Sequence, residues 1–160
     1  MLKQIGYLRW LWLSGIIIII DQISKLAVSV HLPLSGPVKV TAFFNIILAH
    51  NQGIAFSILN DSSGWQRWLL ASLAFIIIIA LIVWLIRLPQ HQTWLALALA
   101  FIIGGACGNL LDRIRLGYVV DFLDFYLAQW HWPAFNVADS AVFIGACLLC
   151  TSMFLGKKLS

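Results

Sequence analysis

Trp68 to Ile86 runs without a charged residue, a stretch better matched to a bilayer than to a soluble core. A helix rises about 1.5 Å per residue, so roughly 20 apolar residues cross a hydrocarbon layer of about 30 Å. Three further stretches are predominantly apolar, and the expected spans are about 8–30, 68–86, 93–111 and 135–155. Composition agrees. Of 160 residues, 62% are hydrophobic and 10% charged, whereas soluble domains carry about a quarter charged residues. The fold class expected is an all-α membrane protein with four transmembrane helices and a small β-structured segment, forming a single domain over 1–160.

The first span has a basic start and an isoleucine run, as a signal peptide does. Asp21 and Lys25 interrupt it, no small-residue cleavage site follows, and more spans come later, so it reads as a retained helix. Segments 31–66 and 113–134 connect spans on one side. In the first, Pro33, Gly36 and Pro37 break any helix, and Thr41 to Leu48 favours β structure. His50-Asn51-Gln52-Gly53 is a turn signal before a second apolar run, Ile54 to Leu59, and Asp61, Ser62 and Ser63 offer N-caps to the next span. Arg113 to Pro133 reads as an amphipathic connection.

Arg87 to Gln92 is a short polar link, so the second and third spans form an antiparallel pair. Gly104, Gly105, Ala106 and Gly108 let helix backbones approach in lipid, and Gly104 and Gly105 are also expected to leave room for a cleft. All eight tryptophans lie near span ends, where interfacial rings sit. The net charge of +4 comes from cations beside apolar spans, which suits headgroup anchoring and not a nucleic-acid surface. These cations divide evenly between the two sides and leave orientation open. Cys107, Cys147 and Cys150 read as packing residues, and no metal set of adequate spacing appears. His31, His50, His91 and His131 fall in loops or interfaces and read as surface residues.

The acidic residues are more telling. All six are aspartates, and all map to the half of the bilayer opposite the termini or to loops there. Polar groups in lipid are costly and tend to mark function. Asp21 and Lys25, at i and i+4, form an internal ion pair that eases insertion. Asn109, Asp112 and Arg113 share a helix face, on which Arg113 can pair Asp112, and an Asn and an Arg in a shared cleft suit gripping a peptide carbonyl. Asp121 taken alone reads as a loop charge and Asp139 as a helix cap. Together, at one depth beside a membrane surface, they fit aspartic peptidase chemistry, in which two close carboxylates share a proton and act on one water. That chemistry needs no metal or cofactor. Ser140 and the histidines give no nucleophile–base arrangement, and no zinc helix or phosphate loop is present.

Five blocks, in order along nearly the whole chain, carry a resemblance. They are Asp21-Gln22 with Lys25; Asn51-Gln52-Gly53-Ile54-Ala55-Phe56-Ser57; Gly104-Gly105 through Gly108-Asn109 to Asp112-Arg113; Val119-Val120-Asp121-Phe122; and Phe135-Asn136-Val137-Ala138-Asp139-Ser140. Together they resemble the lipoprotein signal peptidase (signal peptidase II) family. The resemblance implies that Asp121 and Asp139 are the catalytic dyad and that Asn51, Asn109 and Arg113 line the substrate cleft. Asp21, Lys25, Asp112 and Asn136 would support them. It implies an aspartic endopeptidase that cuts diacylglyceryl-modified bacterial prolipoproteins on the amino side of the lipidated cysteine. It also implies a multi-pass protein of the inner membrane, with cytoplasmic termini, a site near the periplasmic face and an extracytoplasmic β-structured cradle over Thr41–Leu59. Its partners would be that substrate and membrane lipid, without nucleic acid, and the chain would act as a monomer.

Two readings of other classes stand beside this one. A small transporter also uses intramembrane Asp and Arg, but the acids cluster on one side and no inverted repeat is visible. An assembly or lipid-binding subunit would leave Asp121 and Asp139 replaceable. Lipid phosphatase chemistry is disfavoured by the scarcity of cationic phosphate ligands.

Overall fold

The computed structural model describes residues 8–32, 36–53, 64–89 and 91–156. The described residues are mostly helical and hold four helices, α1 (Leu11–His31), α2 (Trp65–Arg87), α3 (Thr93–Arg115) and α4 (Val137–Gly156). Three of these stretches, Leu8–His31, Trp65–Arg87 and Thr93–Arg115, are long and apolar enough to cross a membrane, and Val137–Met153 is a shorter apolar helix. Strands β1 (Val38–Lys39), β2 (Phe44–Asn51), β3 (Val119–Leu127) and β4 (Trp130–His131) form one antiparallel sheet in the order β1-β2-β3-β4. The apolar run Ile54–Leu59, the caps offered at Asp61, Ser62 and Ser63, and Pro33 lie outside the described residues. Gly64 stands at the N-cap of α2 without a side-chain cap.

α1 turns polar groups inward and isoleucines outward. On α1 the buried residues are Ser14, Ile17, Asp21, Lys25 and Val28, spaced at three and four, while Ile19, Ile20 and Ile23 are exposed. Such a stripe is the amphipathic pattern of a soluble helix turned around. α3 is the hub and packs against α1, α2 and α4. Leu99 and Ile103 of α3 meet Ile78 and Leu85 of α2 in the main apolar cluster.

The α3 glycines do a different job from the one expected of Gly104 and Gly105. A Cβ on Gly105 would lie 2.2 Å from the Ala138 carbonyl oxygen, and one on Gly104 would lie 3.0 Å from Ser14 Cα and Ile17 Cβ. They hold helices in contact and leave no cleft between them. At Gly108 a Cβ would come 2.6 Å from Asp21 Oδ2, so this glycine admits a carboxylate between helices.

The connection 113–134 also departs from the expected amphipathic link. Its first residues extend α3 to Arg115, and Val119–Leu127 is an interior strand of the sheet, between β2 and β4. Val119, Val120, Asp121 and Phe122 are buried in succession, so the strand lacks the alternation that marks a half-exposed one. β2 likewise extends through His50 and Asn51, and the turn begins after them. Gly53 N–H there donates to Asn51 Oδ1 at 3.1 Å. Between Ile46 and Ala49 the β2 register slips against Leu123 and Asp121 of β3. The resulting bulge re-aims the end of β2.

Candidate active site

Asp121 comes from β3 and Asp139 from the first turn of α4, and both belong to one continuous network of amides. Asn136 Nδ2 donates to Asp121 Oδ1 at 2.7 Å, and Asn51 Nδ2 donates to Asp121 Oδ2 at 3.0 Å. Asn51 pairs in register with Val119, two residues from Asp121, so its side chain shares the face and reaches diagonally. Asn109 Nδ2 donates to Asp139 Oδ1 at 2.7 Å, and Asn136 backbone N–H donates to Asp139 Oδ2 at 3.2 Å. Asp139 N–H returns a bond to Asn136 Oδ1 at 2.9 Å. This reciprocal pair is a capping box built from Asn and Asp, so Asp139 both starts its helix and offers its carboxylate to the site.

Lys25 fixes the scaffold beneath. Its Nζ reaches Asp21 Oδ2 at 2.8 Å, Asp112 Oδ2 at 2.9 Å and Asn109 Oδ1 at 3.0 Å. An ammonium has three protons, so all are engaged. The two aspartates then hold backbone beside the two candidate acids. Asp21 Oδ1 accepts the N–H of Ala138 at 2.9 Å, next to Asp139, and Asp112 Oδ2 accepts the N–H of Val120 at 3.2 Å, next to Asp121. Gln22 Nε2 joins the pair, donating to Asp112 Oδ1 at 2.8 Å and Asp21 Oδ2 at 3.2 Å. Asp21, Lys25, Asp112 and Asn136 are all buried.

Arg113 differs from the sequence expectation. Asp112 is taken by Lys25, and Arg113 Nη1 instead donates to the Asn109 carbonyl oxygen at 3.3 Å. Its i+1 position turns it away from Asp112 on the helix, and its side chain is half-buried near the candidate acids. A cavity of about 800 Å³ opens beside the sheet, lined by Asn51, Asp121, Asp124, Trp130, His131 and Trp132 among others. Asp121 and Asn51 line this cavity, and Asn136 links Asp121 to Asp139.

Within this network Lys25 and Arg113 oppose four carboxylates, those of Asp21, Asp112, Asp121 and Asp139. A proton on one of them relieves the excess. Burial pushes the Asp121 carboxyl up to about 6; the charge of Asp139 adds to this, and the Asn51 and Asn136 amides and Lys25 oppose it. Folded Asp121 therefore holds its proton more tightly than the unfolded chain does. Its contribution to stability falls as pH rises from about 4 to about 6, by up to about 3 kcal/mol, and is constant above. Thermal unfolding of the wild type and Asp121→Asn between pH 4 and 7 is expected to show the wild type losing ground to the variant as pH rises. A pH-independent difference, or the opposite slope, would contradict this assignment.

Sequence reasoning missed Gln22 as a bridge between Asp21 and Asp112, although its position beside Asp21 was in view. It also missed Asp124, 4% exposed, which accepts from Asn45 Nδ2 at 2.9 Å and contacts His131 Nδ1 at 2.8 Å. The signal for Asp124 was present in Asp121-Phe122-Leu123-Asp124, but without the strand it had no address. Among the described residues, no group of three His, Cys, Asp or Glu is placed to hold a metal ion.

The chain is similar to known proteins along nearly its whole length. The chain is 52% identical over 152 residues to the lipoprotein signal peptidase of Aeromonas hydrophila, covering 94% of this chain and 91% of the relative. It is 48% identical to that of Pseudomonas aeruginosa, covering 97% of this chain and 93% of the relative. A solved structure of a bacterial membrane enzyme superposes with a TM-score of 0.83 at 29% identity, over 93% of this chain and 89% of the other. The family model described as Signal peptidase (SPase) II matches residues 13–155, and with nearly the whole length matched the chain belongs to the signal peptidase II family.

Proposed function

We propose that this chain is an intramembrane aspartic endopeptidase that removes signal peptides from diacylglyceryl-modified bacterial prolipoproteins, cutting on the amino side of the lipidated cysteine. The observation that carries the reading is the shared amide network. Asn136 bonds Asp121 through its side chain and Asp139 through its backbone, so two carboxylates from different elements, β3 and α4, are held as one unit. In the proposed reaction one carboxylate, ionised, takes a proton from water as the oxygen attacks the scissile carbonyl. The other, protonated, donates a hydrogen bond to the developing oxyanion. The proton then passes to the leaving amine. The products are a signal peptide with a new carboxylate and a lipoprotein with a free cysteine amine. Asn51, Asn109 and Arg113 bind the substrate backbone; Asp21, Lys25, Asp112 and Asn136 hold the pair in position.

The proposed setting is a single domain with four spans in the bacterial inner membrane, both termini cytoplasmic and the site near the periplasmic face, the chain acting as a monomer among lipids. Its support is geometric. The sheet, the C-terminal ends of α1 and α3 and the N-terminal end of α4 meet on the side of the molecule that carries Asp21, Asp112, Asp121, Asp124 and Asp139. A signal peptide is a short apolar helix, and a diacylglyceryl group anchors its cleavage point near headgroup depth.

The test is incubation of purified protein with diacylglyceryl-modified and unmodified prolipoprotein. Cleavage of the modified form alone, unaffected by a chelator, is the expected result. Cleavage of both forms equally would remove the lipid from the proposal, and a chelator-sensitive reaction would remove the aspartic mechanism. Absence of cleavage would favour a transporter or a non-catalytic subunit.

A further inference from the structure

The β3–β4 hairpin is built against its own turn chemistry. Ala128 and Gln129 form a two-residue turn between Leu127 and Trp130, and Ala128 lies at φ 55°. Such turns favour Gly, Asn or Asp at positive φ, because a Cβ crowds the left-handed conformation. β4 is only two residues long and pairs Tyr126 with His131 and Leu127 with Trp130. Beyond it Trp132 N–H donates to the Phe125 carbonyl oxygen at 2.8 Å, and Leu123 and Phe135 exchange backbone bonds at 2.8 and 3.1 Å at the far end, which leaves the turn and its two tryptophans the weakly held part. So short a ribbon with so poor a turn is not stable by itself.

An anchor sits at His131. Its Nδ1 lies 2.8 and 3.0 Å from the two carboxylate oxygens of Asp124, and its ring stacks on Tyr126 with centroids 5.2 Å apart. Asp124 is buried and also accepts Asn45 Nδ2 at 2.9 Å, so one carboxylate ties β2, β3 and β4 together. The same cavity that Asp121 faces is lined by Trp130, His131 and Trp132. The two tryptophan rings meet edge to face at 5.9 Å. The hairpin is a wall of the cavity.

We propose that Asp124 and His131 are positioning residues, a latch that holds Trp130 and Trp132 as an aromatic wall for the apolar peptide substrate. This rests on the peptidase reading above. A wall fixed before binding spares the substrate the cost of ordering it. The latch has no bond to Asn51, Asn109, Asn136 or Asp139, so loosening it weakens binding while leaving the chemical step intact. What the latch needs is a donor opposite Asp124, and an asparagine amide nitrogen can stand where the imidazole Nδ1 stands. A glycine at position 128 would relieve the turn and hold the hairpin without the latch.

Steady-state kinetics of the purified protein on diacylglyceryl-modified prolipoprotein test this. His131→Ala is expected to raise KM about fivefold to tenfold, with kcat per folded protein within about twofold of wild type. His131→Asn should stay near wild type, and Ala128→Gly added to His131→Ala should recover most of the lost KM. An unchanged KM in His131→Ala, a loss confined to kcat, or no recovery with Ala128→Gly would overturn the latch. Failure of the wild type to cleave is a distinct result; it would overturn the peptidase reading and the latch with it.

Discussion

Replacing either Asp121 or Asp139 by asparagine is expected to slow prolipoprotein cleavage on the order of 10⁴-fold, while the protein still inserts and folds. The amide is nearly isosteric with the carboxylate, so the packing of β3 and α4 survives. What is lost is the ability to exchange a proton with water. At Asp121 two amide donors converge on the two carboxylate oxygens, and an asparagine there turns an N–H toward one of them. At Asp139 the Asn109 amide and the Asn136 backbone N–H meet the same conflict. Turnover with purified protein, beside a folding check in detergent, measures both effects. A variant that processes substrate at the wild-type rate would remove its aspartate from the chemistry.

Lys25→Met has the second large effect, on stability. The substitution keeps the aliphatic length of the side chain and removes its charge, leaving the buried carboxylates of Asp21 and Asp112 without their cation. Breaking a buried ion pair from one side costs about 3–5 kcal/mol. Here the damage also spreads to the chemistry, because these carboxylates hold the N–H groups of Ala138 and Val120, next to Asp139 and Asp121. Thermal unfolding should therefore move down steeply, and the folded remainder should turn over slowly. Adding Asp112→Asn to Lys25→Met removes one uncompensated charge and should restore part of the stability. A Lys25→Met protein as stable as the wild type would show that the cation is dispensable to the scaffold.

Much of this was legible along the chain. The long apolar runs gave three helices outright, because stretches of that length and hydropathy have few other folds. Asp21 and Lys25 stood at helical spacing and do pair, at 2.8 Å. Asn109, Asp112 and Arg113 were correctly set on one helix, yet spacing could not tell which acid met which cation. Lys25, 87 residues before Asp112, took the partner that local spacing offered to Arg113. β3 was hidden for a related reason. A strand buried on both faces has no alternation, and its amphipathic flanks imitate a surface connection. With the strand hidden, Asp124 and His131 could not be seen as neighbours. The glycines were read correctly as points of close approach and wrongly as space for a cleft, since only the packed helices reveal the Ala138 carbonyl facing Gly105.

Single-turnover rates with enzyme in excess, for Asp121→Asn, Asp139→Asn and the double variant, bear most directly on whether two carboxylates serve one water. If they form one catalytic unit, the second substitution finds nothing left to remove, and the double variant is as slow as either single one. Losses that multiply, so that the double variant falls far below both, would mean two acids acting independently and would contradict a shared site.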